Sequence, residues 1–187
     1  MNEEHLLLCA SDEWREVLTE QILPWALTDV ELGRDVIEVG PGPGLATDAL
    51  RAGVEQLTAV EIDPGLAGAL SDRLRGTNVE VLNADATALP LEDDRFTGAV
   101  SFTMLHHVPT AELQDRLFAE LARVLAPQGV LVLSDSVASD ELAAFHEDDT
   151  YNPIDPSSLP SRLTMAGFTG IDVRTNDFGF VAHAHKA

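Results

Sequence analysis

The sequence predicts an α/β fold in which helices cover both faces of a mainly parallel β-sheet. Short apolar runs rich in β-branched residues alternate with segments whose apolar residues recur every three or four positions. At residues 35–52 one such run leads through a glycine-rich loop into a helical pattern. The alternation continues without internal repeats or long linkers, and a chain of 187 residues therefore favours a single domain.

The first 33 residues predict a helical cap that precedes the sheet. Ser11 can cap a helix in which Trp14, Leu18 and Ile22 recur at four-residue spacing. Pro24 is expected to end or kink this helix. The remaining residues, 34–187, are expected to form the sheet core.

Seven apolar runs predict seven strands in the core. They lie at residues 35–39, 57–62, 79–82, 96–104, 130–134, 171–174 and 178–185. Helices are expected between them, beginning at caps such as Asp63, which precedes Pro64, and Thr110. A short turn at residues 176–177 predicts a hairpin between the last two strands.

Residues 136–156 lack a strand or helix pattern. The segment is acidic and contains two prolines, a composition typical of loops. We expect a loop or flap over the substrate.

The charge argues against a nucleic-acid partner. The formal net charge is −21, from 32 acidic and 11 basic residues, whereas nucleic-acid binding requires clustered positive charge. We therefore expect a small-molecule substrate.

Other features of composition bear on location and metal content. Apolar runs are shorter than the roughly 20 residues of a membrane-spanning helix, and the acidic start differs from the basic start of a secretory signal. These features predict a cytoplasmic protein without a membrane partner. Cys9 is the only cysteine, which rules out an internal disulfide and a cysteine cluster for zinc, and we expect no metal site.

The loop after the first strand carries three alternating glycines, Gly40, Gly42 and Gly44. Glycines at this point let the backbone approach a ligand that a Cβ atom would strike. The loop lacks the third glycine of the dinucleotide fingerprint, because position 45 is Leu45, and it lacks the Gly-Lys pair of a P-loop.

Acidic residues surround this loop and favour a cationic ligand. Between residues 35 and 63 the only basic residue is Arg51, so a pyrophosphate would find little support. S-adenosylmethionine has no phosphate and carries a net positive charge, which an acidic cleft attracts. Glu61, at the end of the second strand, can accept hydrogen bonds from ribose hydroxyls. Asp63 can cap the following helix at least as well as it can bind ribose. Asp85 can accept a hydrogen bond from the adenine amino group, or it can simply occupy a surface turn.

The chain resembles the class I S-adenosylmethionine-dependent methyltransferases. The matching motifs are the segments 38–44, 60–63, 83–91, 105–108 and 123–129. The resemblance runs from about residue 34 to the end, and only the combination of these pieces is specific. One departure is at residues 97–98, where many relatives begin the fourth strand with Asp.

The resemblance implies a Rossmann-like, doubly wound sheet of seven strands in the order 3-2-1-4-5-7-6, with strand 7 antiparallel. It also implies S-adenosylmethionine as cofactor, with its methionine part on the glycine loop, its ribose on Glu61 and its adenine near Ile62. The residues expected to bind the cofactor are Glu38, Gly40, Gly42, Gly44, Glu61, Ile62, Asp85, Ala86 and Ser101.

The methyl acceptor is not identified by the resemblance. Methyl transfer to a hydroxyl needs a general base, whereas a neutral amine or a thiolate does not. The candidates for such a base are His106 and His107 after the fourth strand, Asp135 after the fifth, and His146 in the acidic segment. We expect His106 and Asp135 to form the base, with His106 facing the cleft and His107 packed or capping; the reverse arrangement of the two histidines is the alternative. Alignment of an acceptor that is already nucleophilic is the alternative.

Two other functions stay open at this point. A nicotinamide-dependent oxidoreductase is disfavoured by the glycine spacing and by the absence of a Tyr-x-x-x-Lys pair, since Asp155 stands four residues after Tyr151. A protein of the same fold that binds the cofactor without catalysis is compatible with the sequence. The Asn/Asp-Pro-Pro-Tyr signature of adenine methylation is absent at the end of the fourth strand, where this chain has Ser-Phe-Thr-Met at residues 101–104.

Overall fold

The computed structural model describes residues 2–187 and contains one seven-stranded sheet. The predicted strand order, β3-β2-β1-β4-β5-β7-β6, is confirmed. β7 runs antiparallel to both β5 and β6, and the other neighbouring pairs are parallel. The strands are β1 Asp35–Val39, β2 Gln56–Glu61, β3 Val79–Asn83, β4 Phe96–Phe102, β5 Leu125–Ser136, β6 Phe168–Thr175 and β7 Gly179–Lys186.

Eight α-helices accompany the strands in the described residues. They are α1 Glu3–Cys9, α2 Asp12–Val17, α3 Leu23–Leu27, α4 Leu45–Leu50, α5 Pro64–Arg73, α6 Ala111–Val124, α7 Asp140–Phe145 and α8 Leu159–Ala166. The predicted caps are confirmed, because the side chains of Ser11, Asp63 and Thr110 accept hydrogen bonds from first-turn N–H groups of α2, α5 and α6.

The helical structure of the amino-terminal segment continues through Pro24 instead of ending there. A π-helical turn, Leu18–Ile22, joins α2 to α3, and Pro24 is the second residue of α3. Because proline lacks an N–H donor, a wider turn just before it accommodates the missing hydrogen bond.

Several predicted boundaries differ from the structure: β4 ends at Phe102 instead of residue 104, and β6 begins at Phe168 instead of residue 171. The two largest differences are at β5 and in the segment 136–156. β5 begins at Leu125, five residues before the predicted start, and its pairing with β4 is irregular between Phe96 and Gly98. The early part of the strand was not predicted because Pro127 and Gly129 are uncommon inside strands. The segment 136–156 also contains α7, which Ser139 caps, where only a loop was expected.

The sheet separates two hydrophobic layers. One lies against α6 and α8 and includes Phe118, Leu121 and Phe168, and the other lies against α3 and α4 and includes Leu23 and Leu50. The central strands β1, β2 and β4 are buried on both faces, as expected for a doubly wound sheet. This arrangement brings the carboxyl ends of β1, β2, β3, β4 and β5 to one edge.

Among the described residues, no helix combines the length and apolar character that a bilayer crossing requires.

Gly98 provides a test of how the cap joins the sheet. A Cβ atom at Gly98 would lie 2.5 Å from the backbone oxygen of Leu32, so Gly98→Ala forces the chain before β1 away from β4. We expect a loss of about 1–3 kcal/mol in the free energy of unfolding, measured by urea denaturation.

Gly68→Ala is the matched control, because Gly68 lies in α5 and a Cβ atom added there would have no neighbouring atom within 4 Å. This change should stabilise the chain by about 0.5–1 kcal/mol through helix propensity. Equal effects of the two substitutions would contradict the close contact at Gly98.

Candidate functional site

A large cavity lies at the edge where the parallel strands end. Its volume is about 860 Å³, in the upper part of the range for small-molecule sites. Loops after β1, β2, β3 and β4 line it, and α1 and α2 contribute Leu6, Cys9 and Trp14. Trp25 instead packs in the hydrophobic layer beside α3.

The glycine loop opens directly onto this cavity. Gly40 and Gly42 have φ angles of 70° and 54°, a region that residues with a Cβ atom rarely adopt. A Cβ at Gly40 would collide with Met104, whereas one at Gly42 would meet no atom within 4 Å. The space in front of Gly42 is therefore free for a ligand.

Glu61 joins two of the loops around the cavity. Its Oε2 accepts a hydrogen bond from the N–H of Gly42 at 3.0 Å, and its Oε1 accepts one from the N–H of Asp63 at 2.9 Å. The carboxylate is buried, lines the cavity and retains lone pairs for further donors. Its position suits a ligand with neighbouring hydroxyls.

Glu38 is a second buried carboxyl group on the same side. Thr47 Oγ1 donates a hydrogen bond to its Oε2 at 2.7 Å, and the residue lines the cavity. Burial raises the pKa of Glu38 to about 7, although the hydrogen bond from Thr47 acts in the opposite direction. A cationic ligand beside Glu38 would favour its ionised form.

The loops after β2 and β3 form an apolar shelf with a polar edge. Ile62 is 67% exposed and lines the cavity together with Asp85 and Ala86. Asp85 Oδ1 accepts hydrogen bonds from the N–H and hydroxyl of Thr87, both at 2.8 Å. An aromatic ring could pack on Ile62 while the edge of that ring faces Asp85.

Two residues predicted for cofactor binding do not line the cavity. Gly44 has φ 89° and lies against Leu70 and Arg73, where it begins α4. Ser101 is fully buried in β4, and its neighbour Phe102 lines the cavity instead, because successive strand residues point to opposite faces. The predicted contacts of Gly44 and Ser101 with the cofactor therefore gain no support from the cavity lining and stay a prediction.

The expected juxtaposition of His106 and Asp135 is confirmed. His106 Nδ1 lies 2.6 Å from Asp135 Oδ1, and the backbone N–H of His106 donates to Asp135 Oδ2 at 2.9 Å. The expectation that His106 faces the cleft is wrong, because His107 lines the cavity and His106 does not. The 3-10 turn Leu105–His107 replaces the extended chain on which that expectation depended.

The part of the cavity wall beside His107 contains two further residues, which were not identified from the sequence. Thr103 lines the cavity with φ 51°, a strained conformation for a β-branched residue. His5 of α1 reaches the same wall, and its ring centroid lies 4.8 Å from that of His107. Local sequence patterns carry no signal for a contact between residues 5 and 107.

The environment of these histidines keeps them neutral. Burial lowers the pKa of His107 to about 3 and that of His5 to about 4, and neighbouring histidines add to both shifts. The wall is thus uncharged near pH 7, apart from the carboxylates.

The amino-terminal cap and the segment 136–156 are tied together above the cavity. The N–H of Asn2 donates to Asp149 at 2.8 Å, and the Asn2 side-chain amide donates to the carbonyl of Phe145 at 3.1 Å. Asp149 and Thr150 line the cavity. Both segments therefore border the space next to the glycine loop.

Comparison with known families gives this geometry its context. A model of the methyltransferase domain family matches residues 37–133, which is more than half of the chain. The chain belongs to this family. The matched stretch contains the glycine loop, Glu61 and the loops after β3 and β4.

The relatives of this methyltransferase act on different acceptors. It is 32% identical over 133 residues to a demethylmenaquinone methyltransferase of Clavibacter sepedonicus, covering 70% of this chain and 50% of that protein. It is 35% identical over 146 residues to a probable S-adenosylmethionine-dependent methyltransferase of Mycobacterium tuberculosis, covering 74% and 50%. It is 44% identical over 70 residues to an rRNA adenine N-6-methyltransferase of Saccharopolyspora erythraea, covering 36% and 18%.

The chain spans half the length or less of these three relatives. The fold matches that of the N-methyltransferase NodS from Bradyrhizobium japonicum, solved with S-adenosyl-L-homocysteine, with a TM-score of 0.73 at 18% identity. That match covers 99% of this chain and 93% of NodS. By family, the chain carries a methyltransferase domain, and its fold is the Rossmann-like, seven-stranded fold of the class I S-adenosylmethionine-dependent methyltransferases. The acceptor is left undefined.

The buried Glu38 predicts a pH-dependent stability of this methyltransferase. The folded chain holds a proton on Glu38 up to about pH 7, whereas the unfolded chain releases it near pH 4.5. The unfolded state is thus relatively favoured as pH rises between these values. Glu38→Gln removes this effect. The free energy of unfolding of the variant, compared with that of wild type at the same pH, should therefore rise by up to about 3 kcal/mol from pH 5 to pH 8.

Denaturant unfolding at the two pH values measures this difference. Glu16→Gln, which changes an exposed glutamate of α2, is the matched control. The same wild-type-to-variant difference at pH 5 and pH 8 for Glu38→Gln would contradict a raised pKa.

Proposed function

We propose that this chain transfers the methyl group of S-adenosylmethionine to a small-molecule acceptor. The observation that carries the proposal is the cavity at the strand ends, in which Glu38 and Glu61 flank a glycine loop that leaves free space. Lys and Arg are absent from the described residues that line it. A cationic, phosphate-free cofactor suits such a cavity.

The residues present fit each part of this cofactor. Glu61 would accept hydrogen bonds from the ribose hydroxyls, and Ile62 would support the adenine beside Asp85. Gly40 and Gly42 would pass close to the methionine part, with Glu38 nearby to compensate its positive charge. These assignments retain the carboxylate–backbone bonds that Glu61 already makes.

The chemistry of the step comes from the bound sulfonium, which supplies an electrophilic methyl carbon and a neutral leaving sulfur. The protein contributes alignment and exclusion of water. Holding the acceptor in line with the methyl group is worth roughly 7–11 kcal/mol. Trp14, Leu18 and Val108 contribute apolar surface to the cavity for this purpose.

The size and charge of the site favour a small acceptor over RNA. An acidic chain of net charge −21 repels phosphates, and the rRNA-modifying relative matches only 36% of this chain. The cavity lining as a whole is largely apolar, and Leu6 of α1 and Trp14 of α2 belong to it. We infer an acceptor with a substantial apolar part.

We further propose that the cap, residues 1–33, and the flap, residues 136–156, together form the acceptor side of a single methyltransferase domain. The hydrogen bonds of Asn2 that join the two segments beside the cavity support this proposal. This would give the enzyme a substrate-binding surface without a separate domain.

The catalytic role of His106 and Asp135 stays a prediction. Asp135 fixes the His106 ring, as a carboxylate does for a general base. However, the His106 ring is buried behind His107. An acceptor that is already nucleophilic would need only alignment.

A labelled-methyl assay tests the proposed function. S-adenosylmethionine with a labelled methyl group is incubated with the protein and a metabolite extract, and the products are identified by mass spectrometry. We expect label in a small molecule with wild type and loss of both transfer and cofactor binding with Gly42→Val, because the new side chain would enter the ligand space.

Gly76→Val is the matched control. Gly76 also has a positive φ, 79°, and no atom within 4 Å of an added Cβ, but it is remote from the cavity lining. It shares the backbone strain and should retain cofactor affinity. Equal loss in both variants would contradict the loop assignment, and labelling of ribosomal RNA alone would contradict the small-molecule acceptor.

A further inference from the structure

Four histidines from three separate segments meet beside the cavity. His5 belongs to α1, His106 and His107 form the turn after β4, and His146 follows α7. One ring nitrogen from each lies within 4.8 Å of the others. His5, His106 and His146 are only 4–6% exposed.

In two of the rings, a hydrogen bond fixes one nitrogen and leaves the other nitrogen of the same ring without a partner. His106 Nδ1 lies 2.6 Å from Asp135 Oδ1, and His146 Nδ1 lies 2.6 Å from the carbonyl oxygen of Leu142. Both partners are acceptors, so each Nδ1 is the donor and each Nε2 is the nitrogen that remains for another partner. Both Nε2 atoms are buried without a hydrogen-bond partner among the described residues.

The other two rings also have a buried nitrogen that lacks a hydrogen-bond partner. His107 Nε2 and His5 Nδ1 are also buried without a hydrogen-bond partner in the part of the chain that the structure describes. Asp149 lies 3.9 Å from His5 Nδ1, beyond hydrogen-bond distance. An unsatisfied buried polar atom costs about 1–3 kcal/mol, so four at one place require a common explanation.

We propose that His5, His106, His107 and His146 bind a divalent transition-metal ion of the zinc class. Imidazole nitrogens suit zinc and its neighbours, whereas magnesium and calcium require oxygen ligands. Asp135 and the Leu142 carbonyl already occupy the outer positions that orient metal-binding histidines.

The geometry requires only small adjustments. Zinc bonds to nitrogen are about 2.0–2.1 Å long, so tetrahedral ligands lie about 3.4 Å apart. The widest nitrogen pair, at most 4.8 Å apart, would close by about 1.4 Å. Rotation of the His5 and His107 rings would contribute to this movement, because His5 Nδ1 and His107 Nε2 have no hydrogen bond to break among residues 2–187.

The ion would clamp the two covering segments to the sheet. His5 belongs to α1, and His146 directly follows α7. His106 is held to β5 through its hydrogen bond with Asp135. Since His5 and His107 also line the cavity, the clamp would set the position of the wall against the acceptor. A metal-bound His106 has no lone pair left for proton abstraction, so this site excludes the general-base role for that ring.

Metal binding to tag-free protein tests the proposal. After incubation with zinc and removal of free metal, we expect about one bound equivalent per chain by plasma mass spectrometry. With Co²⁺ as a spectroscopic probe, we expect the strong visible absorption of a tetrahedral site. Bound zinc should also raise the Tm.

Substitutions locate the ion. His5→Gln and His146→Gln should lose stoichiometric zinc and the tetrahedral cobalt spectrum, and Asp135→Asn should weaken zinc affinity about 10–100-fold through the outer position. His185→Gln, which changes an exposed histidine of β7, is the matched control and should bind as wild type does. Circular dichroism checks that each variant is folded.

Several results would overturn the site. They are failure of the wild type to bind zinc stoichiometrically, an octahedral cobalt spectrum, or unchanged binding in folded His5→Gln and His146→Gln. Should one variant fail to fold, the other variant and the nitrogen-only ligand shell expected from X-ray absorption of the wild type still decide the question.

Discussion

The carboxylate of Glu61 holds together the cofactor side of this protein. It accepts the N–H of Gly42 from the loop after β1 and the N–H of Asp63 from the turn after β2. Such bonds to an ionised acceptor are about twice as strong as neutral ones, and burial strengthens them further. The glycine loop thus stays open because a neighbouring strand end fixes it.

Asp135 has the corresponding role on the opposite side of the cavity. It accepts hydrogen bonds from the backbone N–H groups of His106 and Ser136 as well as from the His106 ring. This connects the end of β5 to the turn after β4 and determines where both histidines of that turn point. Two buried acids, rather than basic residues, therefore organise the loops at the strand ends, which agrees with a positively charged cofactor.

Much of the fold could be predicted because it depends on local patterns. The glycine loop, the caps and the apolar strands each carry a signal within a few residues, and the strand order followed from the family resemblance. The early start of β5 was hidden because Pro127 and Gly129 are typical of turns. The sequence could not show that Phe102 rather than Ser101 lines the cavity, because a shift of one residue along a strand reverses the face.

The histidine cluster could not be predicted for a different reason: His5 and His146 are separated by most of the chain, and neither belongs to a motif with metal-ligand spacing. Only the tertiary contacts of α1 with the segment after α7 bring them together, and such long-range contacts leave no mark on local periodicity.

A crystal structure of the chain with S-adenosylhomocysteine tests the role of Glu61 most directly. We expect both ribose hydroxyls within hydrogen-bond distance of the Glu61 carboxylate, with the Gly42–Glu61 bond intact and the homocysteine part in front of Gly42. An adenosyl group bound elsewhere, or ribose hydroxyls that make no contact with Glu61, would contradict this role.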